Sequence, residues 1–137
     1  MDTSKAARIV GAGDATGGAI ARRFAREGLI ACVTRRTADK LEPLVQSIRD
    51  SGGQAHGFGS DARDEAAVTE LVAKIEREIA PIVVAVFNIG ANVRFDITAT
   101  TERVYRKVWE MGALAGFLMG REAARVIRGG DEAMRGR

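Results

Sequence analysis

The chain has 137 residues, a formal net charge of +3, 46% hydrophobic and 28% charged residues, the make-up of one ordinary globular domain with a real core. No run reaches the ~18 consecutive apolar residues that a membrane span needs, and Lys and Arg are interleaved with Asp and Glu instead of forming the basic, aromatic-laced block of a nucleic-acid binder. The lone Cys32 excludes an intramolecular disulfide framework and fits a reducing compartment.

In chain order, residues 6–10 read as a first strand. Residues 15–27 read as a helix, in which Ile20 and Phe24 share a face with Ala21 and Ala25 while Arg22, Arg23 and Arg26 face water. Gly28 is placed to end it in a left-handed turn. Residues 29–34 (Leu-Ile-Ala-Cys-Val-Thr) form a continuous, partly β-branched run, as in a strand buried on both faces. Thr37 is placed to cap a second helix, Pro43 suits its first turn, and Ser51-Gly52-Gly53 ends it near Asp50. Residues 54–60 make a short, weak strand carrying His56. Residues 64–79 are helical, with Val68, Leu71, Val72, Ile75 and Ile79 on one face.

After Pro81, residues 82–87 (Ile-Val-Val-Ala-Val-Phe) carry the strongest strand signal in the chain, and residues 88–92 follow as a loop. Thr100 or Thr101 caps a long helix to about Arg128, along which Val104, Val108, Met111, Ala115, Leu118, Glu122 and Val126 recur at spacings of three and four. Gly129-Gly130 then opens a polar tail, 129–137, expected to be disordered, which leaves 1–128 as the domain. The strand–helix alternation predicts a three-layer αβα fold with a parallel sheet and right-handed crossovers. Met1 to Lys5 shows no apolar stretch behind a basic start, so the expected location is the cytoplasm, with neither membrane nor nucleic acid as partner.

The stretch between the first strand and the first helix is Gly11-Ala12-Gly13-Asp14-Ala15-Thr16-Gly17-Gly18. A strand that turns sharply into a helix makes a phosphate site. Glycines let the backbone turn and approach a ligand, free amides of the first helical turn point at the anion, and the helix dipole adds positive charge there. A glycine-rich string also fits a plain tight turn; its place after the first strand of an alternating chain favours the phosphate site. Asp14 reads as a turn former or helix cap, able to reach a phosphate only through its backbone.

With these elements in place, the chain resembles the N-terminal half of a short-chain dehydrogenase/reductase, from about Lys5 to Arg128. Four stretches carry the resemblance. The family's phosphate turn, Thr-Gly-x-x-x-Gly-x-Gly, corresponds to Val10, Gly11, Ala15 and Gly17, with valine for the threonine and alanine for the middle glycine. Thr34-Arg35-Arg36 stands where the family reads the adenosine ribose. Ser60-Asp61-Ala62-Arg63 resembles the Asp-hydrophobic pair that contacts adenine. Phe87-Asn88-Ile89-Gly90 resembles Asn-Asn-Ala-Gly, with phenylalanine for the first asparagine.

The resemblance implies a Rossmann-like sheet of about four strands in the order 3-2-1-4. It also implies a dinucleotide held at Gly11, Gly13, Asp14, Ala15, Thr16, Gly17, Arg35, Arg36, Asp61, Ala62, Asn88, Ile89 and Gly90. An NAD site commonly has an acidic residue about 20 residues beyond the glycines. Here Arg35 and Arg36 stand instead, and a guanidinium fork suits a 2′-phosphate, so NADP(H) is favoured over NAD(H). The alternative is that both are solvated loop residues.

The family's catalytic tyrosine, with a lysine four residues on, has no counterpart. The chain's one tyrosine, Tyr105, is followed at that distance by Trp109, and Lys107 falls on another side of the helix. The asparagine of the family's proton relay falls at about Gly112, so no catalytic residue is assigned. His56 has no partners at metal-ligand spacing, and no metal is expected. The chain reads as truncated before the family's fifth strand. That reading leaves the 82–87 edge and the 101–128 helix open to pairing with a second copy, and the chain marginally stable or self-associated. The expected function is the cofactor-binding half of an NAD(P)-dependent oxidoreductase of carbonyl/alcohol substrates, not competent alone. The alternatives are a non-catalytic NADP(H)-binding module or a protein-interaction module.

Overall fold

The computed structural model describes residues 3–13, 15–90 and 93–135. Four strands, β1 (Ala6–Val10), β2 (Ile30–Arg35), β3 (Gln54–Gly59) and β4 (Ile82–Phe87), form one parallel sheet in the order β3-β2-β1-β4. This is the expected Rossmann-like arrangement. β1 is buried at every position because it is central and covered on both faces.

Successive strand residues point to opposite faces, so each face gathers its own core. Ala7 and Ile9 of β1 and Ala31 and Val33 of β2 meet α1 (Thr16–Arg26) and α2 (Glu42–Asp50) through Ala21, Ala25, Leu44, Val45 and Ile48. On the other face, Ala6, Ile30, Cys32 and Ile82 pack on α3 (Glu65–Glu78) through Leu71, Val72 and Ile75. Val10 there meets Met119 and Ala123 of α5 (Ala115–Arg135). The same alternation turns Arg8 inward on this second face, opposite Cys32, where it is 1% exposed.

Three details depart from the sequence reading. Thr37 makes no capping bond, because the chain first enters a 3₁₀ turn, Ala38–Leu41, before α2. The long last helix is α4 (Glu102–Trp109), a π-helical turn Glu110–Leu114 centred on Gly112, and then α5. The inserted residue of a π turn rotates everything after it. The apolar stripe is therefore buried along α5 at Ala115, Leu118 and Met119, while α4 buries none of its residues and leaves Tyr105 and Trp109 exposed. Finally, α5 does not stop at Arg128: the backbone stays helical through Gly129-Gly130 to Arg135. Two glycines cost about 1 kcal/mol each in a helix but keep their N–H groups, and the following Asp-Glu-Ala-Met-Arg contains no proline to break it. Of the two threonines offered as the cap, Thr101 takes the role, its hydroxyl accepting from the Val104 amide at 3.2 Å.

Candidate functional site

At the C-terminal ends of the strands lies a cleft of about 540 Å³. Its rim is the β1–α1 turn, the ends of β2 and β3, and the loop after β4. Every expected contact residue that the structure describes lines it: Gly11, Gly13, Ala15, Thr16 and Gly17; Arg35 and Arg36; Asp61 and Ala62; Asn88, Ile89 and Gly90. Asp14 lies outside the described residues.

The turn is built by backbone packed on backbone. Gly11 has φ +85°, and a Cβ there would run into the carbonyl oxygen of Asn88 and sit 2.7 Å from its carbon. A Cβ on Gly17 would strike the Gly11 carbonyl and lie 2.8 Å from the Ala12 Cα. The loop is fixed to its neighbours by Gly11 and Ala12 amides donating to the Thr34 carbonyl at 3.0 and 3.2 Å, and by the Asn88 amide donating to the Val10 carbonyl at 2.8 Å. The Asn88 side-chain amide donates to the Gly11 carbonyl at 3.3 Å. Ala15 occupies the cap position of α1 and has no side-chain acceptor, and the first turn of α1 holds no acidic residue. The arrangement favours an anion.

The opposite wall is cationic. Arg35, half-buried, brings its guanidinium against the turn: a Cβ on Gly13 would lie 3.5 Å from Arg35 Nη1. Arg36, exposed, reaches the last helix, with Nη2 4.0 Å from the Met111 sulfur. Asp61 is gripped by Arg63, which donates from Nε at 3.0 Å, from Nη2 at 2.9 Å and from its backbone amide at 3.0 Å. Those hydrogen bonds hold the Asp61 carboxyl down at about 2, with burial working the other way and Arg36 adding a further pull downward. Asp61 is therefore a fixed anion within a basic rim.

Sequence reading missed four features of this cleft. Gly18 is as constrained as Gly17, because a Cβ there would strike the Gly13 carbonyl; the doubled glycine was the available signal. The hydroxyls of Thr34 and Ser60 are buried on the cleft wall with no hydrogen-bond partner among the described residues. Met111 closes the side toward the last helix, and nothing in its heptad-like neighbourhood marks it.

Other candidate groups lie elsewhere. Tyr105 is 66% exposed on α4. His56 sits in β3 beside Arg49, and burial with that neighbouring charge lowers its pKa. Among the described residues, no group of three or more His, Cys, Asp or Glu is placed to hold a metal, and no helix is long and apolar enough to cross a membrane.

A glycine turn against a helix start, at the carboxyl edge of a parallel sheet, defines a Rossmann-type α/β protein. The family model for short chain dehydrogenases matches residues 5–136, and the chain belongs to that family. It is 41% identical over 78 residues to the 2,3-dihydro-2,3-dihydroxybenzoate dehydrogenase of Bacillus subtilis, covering 57% of this chain and 30% of that one. Among solved structures, a short-chain dehydrogenase from Rhodopseudomonas palustris superposes with a TM-score of 0.84 at 47% identity, over 90% of this chain and 57% of that one. A variant actinorhodin polyketide ketoreductase, solved with NADPH, matches with a TM-score of 0.85 at 26% identity, over 92% of this chain and 49% of that one. The chain thus spans about a third of the curated relative and about half of the solved ones.

Proposed function

We propose that the chain is the cofactor-binding portion of an NADP(H)-dependent short-chain oxidoreductase that interconverts a carbonyl and an alcohol. The observation that carries this is the single cleft running from the first turn of α1, which no side chain caps, to the guanidinium groups of Arg35 and Arg36. The residues present fit the cofactor: the first turn of α1 has no side-chain cap and no acidic residue, and the hydroxyls of Thr34 and Ser60, unpartnered among the described residues, border the space a ribose or base would enter. When bound, NADPH supplies the hydride.

The chain's own residues hold and orient it. The α1 amides and Gly13 face the pyrophosphate, and Arg35 and Arg36 neutralise a 2′-phosphate. Asp61, beside the apolar Ala62, would accept from the adenine amine, and Asn88, Ile89 and Gly90 would flank the cofactor from the β4 side. Asn88, tied to Gly11 and Val10, keeps that flank rigid. Proton transfer to the substrate needs a tyrosine paired with a lysine, and the only tyrosine of this sequence is followed four residues on by Trp109. Turnover is therefore assigned to groups outside this sequence. The open β4 edge and the exposed Tyr105, Trp109 and Phe117 make self-association the expected state, and the cytoplasm is the compartment proposed.

Isothermal titration tests the reading. NADPH should bind with micromolar affinity, NADH more weakly, and Arg36→Glu should abolish the difference. No heat with either cofactor would overturn the dinucleotide assignment and favour a module that works through protein contacts alone.

A further inference from the structure

Beside the cleft lies a second cavity of about 570 Å³. It shares Arg35, Arg36, Gly90 and Met111 with the cleft. Its outer walls come from elements that the cofactor reading does not use: Lys40 in the 3₁₀ turn after β2, and Lys107 on α4. Among the described residues, four cations line it and no carboxylate does. Arg35, Arg36, Lys40 and Lys107 make no ion pair with a described carboxylate. Arg23, Arg77 and Arg106 are each matched by a glutamate within 3.3 Å, while Arg22, Arg26 and Arg103, like the pocket's cations, have no carboxylate partner among the described residues.

Like charges gathered round one small space repel one another, and a dianion placed among them removes that cost. Helix geometry puts Lys107 there: it stands one turn before Met111, on the same face of the helix, and Met111 is the residue that Arg36 touches.

We propose that Lys107 is a specificity-determining residue that closes the far side of this four-cation pocket and reads the 2′-phosphate of the adenosine ribose. The inference rests on the cofactor reading above and adds to it a residue from the helix beyond β4. Arg35 and Arg36 supply directional forks from the sheet side, and Lys107, with Lys40 beside it, supplies point charge from the helix side.

The test is calorimetric titration of the whole chain and its Lys107→Ala and Lys107→Arg variants with NADPH, NADH, 2′,5′-ADP and 5′-AMP. Lys107 is exposed, and circular dichroism confirms that each variant folds. Lys107→Ala should weaken NADPH and 2′,5′-ADP about tenfold, as for one charge-assisted contact, and leave NADH and 5′-AMP unchanged. Lys107→Arg should restore most of the affinity, and the salt dependence of NADPH binding should be shallower in Lys107→Ala. Equal weakening of NADPH and NADH, or no change in either, overturns the role of Lys107. A wild-type chain that binds NADH and NADPH equally also overturns it and leaves the dinucleotide reading standing; one that binds neither overturns both.

Discussion

Replacing Arg8 by leucine should stabilise this fold. Arg8 lies on the central strand β1, in register with Cys32 on one side and Ala85 on the other, and its side chain is turned into the buried second face at 1% exposure. Its Nε and Nη1 have no hydrogen-bond partner among the described residues. Burial draws its pKa down from the ordinary guanidinium range to about 10, with Cys32 pulling the other way. That depression corresponds to about 3 kcal/mol of folding free energy lost to keeping the charged form inside. Leucine removes the charge and keeps an apolar branch in the same place. For a chain of this size, a gain of about 3 kcal/mol raises Tm by about 10 °C.

Urea unfolding followed by circular dichroism should show the midpoint moving up at constant slope. The pH dependence gives a second reading. Arg8 has its folded pKa below its unfolded one, so the folded state sheds that proton first. The penalty is complete below about pH 10 and fades as pH rises above it toward the ordinary guanidinium range. The advantage of the leucine variant should therefore shrink as pH rises past 10. A leucine variant less stable than the parent at pH 7 would refute the reasoning, because it would mean that the guanidinium is paired in solution.

Two further outcomes follow from the turn and the rim. Gly11→Ala forces a methyl into the Asn88 carbonyl at φ +85° and should destabilise by about 3 kcal/mol. Gly28→Ala, at φ +91° with nothing within 4 Å, should cost only about 1 kcal/mol, so urea midpoints that do not separate the two would count against close packing at Gly11. Asp61 has its folded pKa below the ordinary 3.8, chiefly through the Arg63 hydrogen bonds, so its contribution is present above pH 3.8 and lost as pH falls through about 2. Its side chain is 38% exposed, so solvent screening leaves under ~1 kcal/mol. Asp61→Asn should make acid unfolding between pH 4 and 2 shallower by that amount, and an unchanged acid limb would show that Arg63 does not hold the carboxyl in solution.

The sheet and the cleft were legible because their signals are local and redundant. Each inner strand is a short apolar run, each crossover is an amphipathic helix, and the glycines mark where main chain meets main chain. What escaped depends on three-dimensional facts with no local signature. Arg8 occupies one letter of a five-residue strand whose period is set by its neighbours, so its burial follows from the sheet's being covered on both faces. The π turn at Glu110–Leu114 preserves the spacing of three and four that announces a helix, yet changes which side chains face inward. The polar residues after Gly129-Gly130 resemble a tail in composition, while their backbone continues a helix that is already nucleated. The hydroxyls of Thr34 and Ser60 gain meaning only because the ends of β2 and β3 converge on one wall.

The crossing of the Gly11 loop with Asn88 is an encounter of peptide groups on both sides, and this bears on how freely its sequence can change. The positions where the chain departs from its family's pattern, Val10, Ala15 and Phe87, alter what projects from that scaffold and leave its amides where they were. Tolerance here should be sharply uneven: generous wherever a side chain points outward, and almost nil at the glycines whose missing side chain is what the architecture uses. A saturation library of the turn would trace the path of the main chain more faithfully than any single motif does.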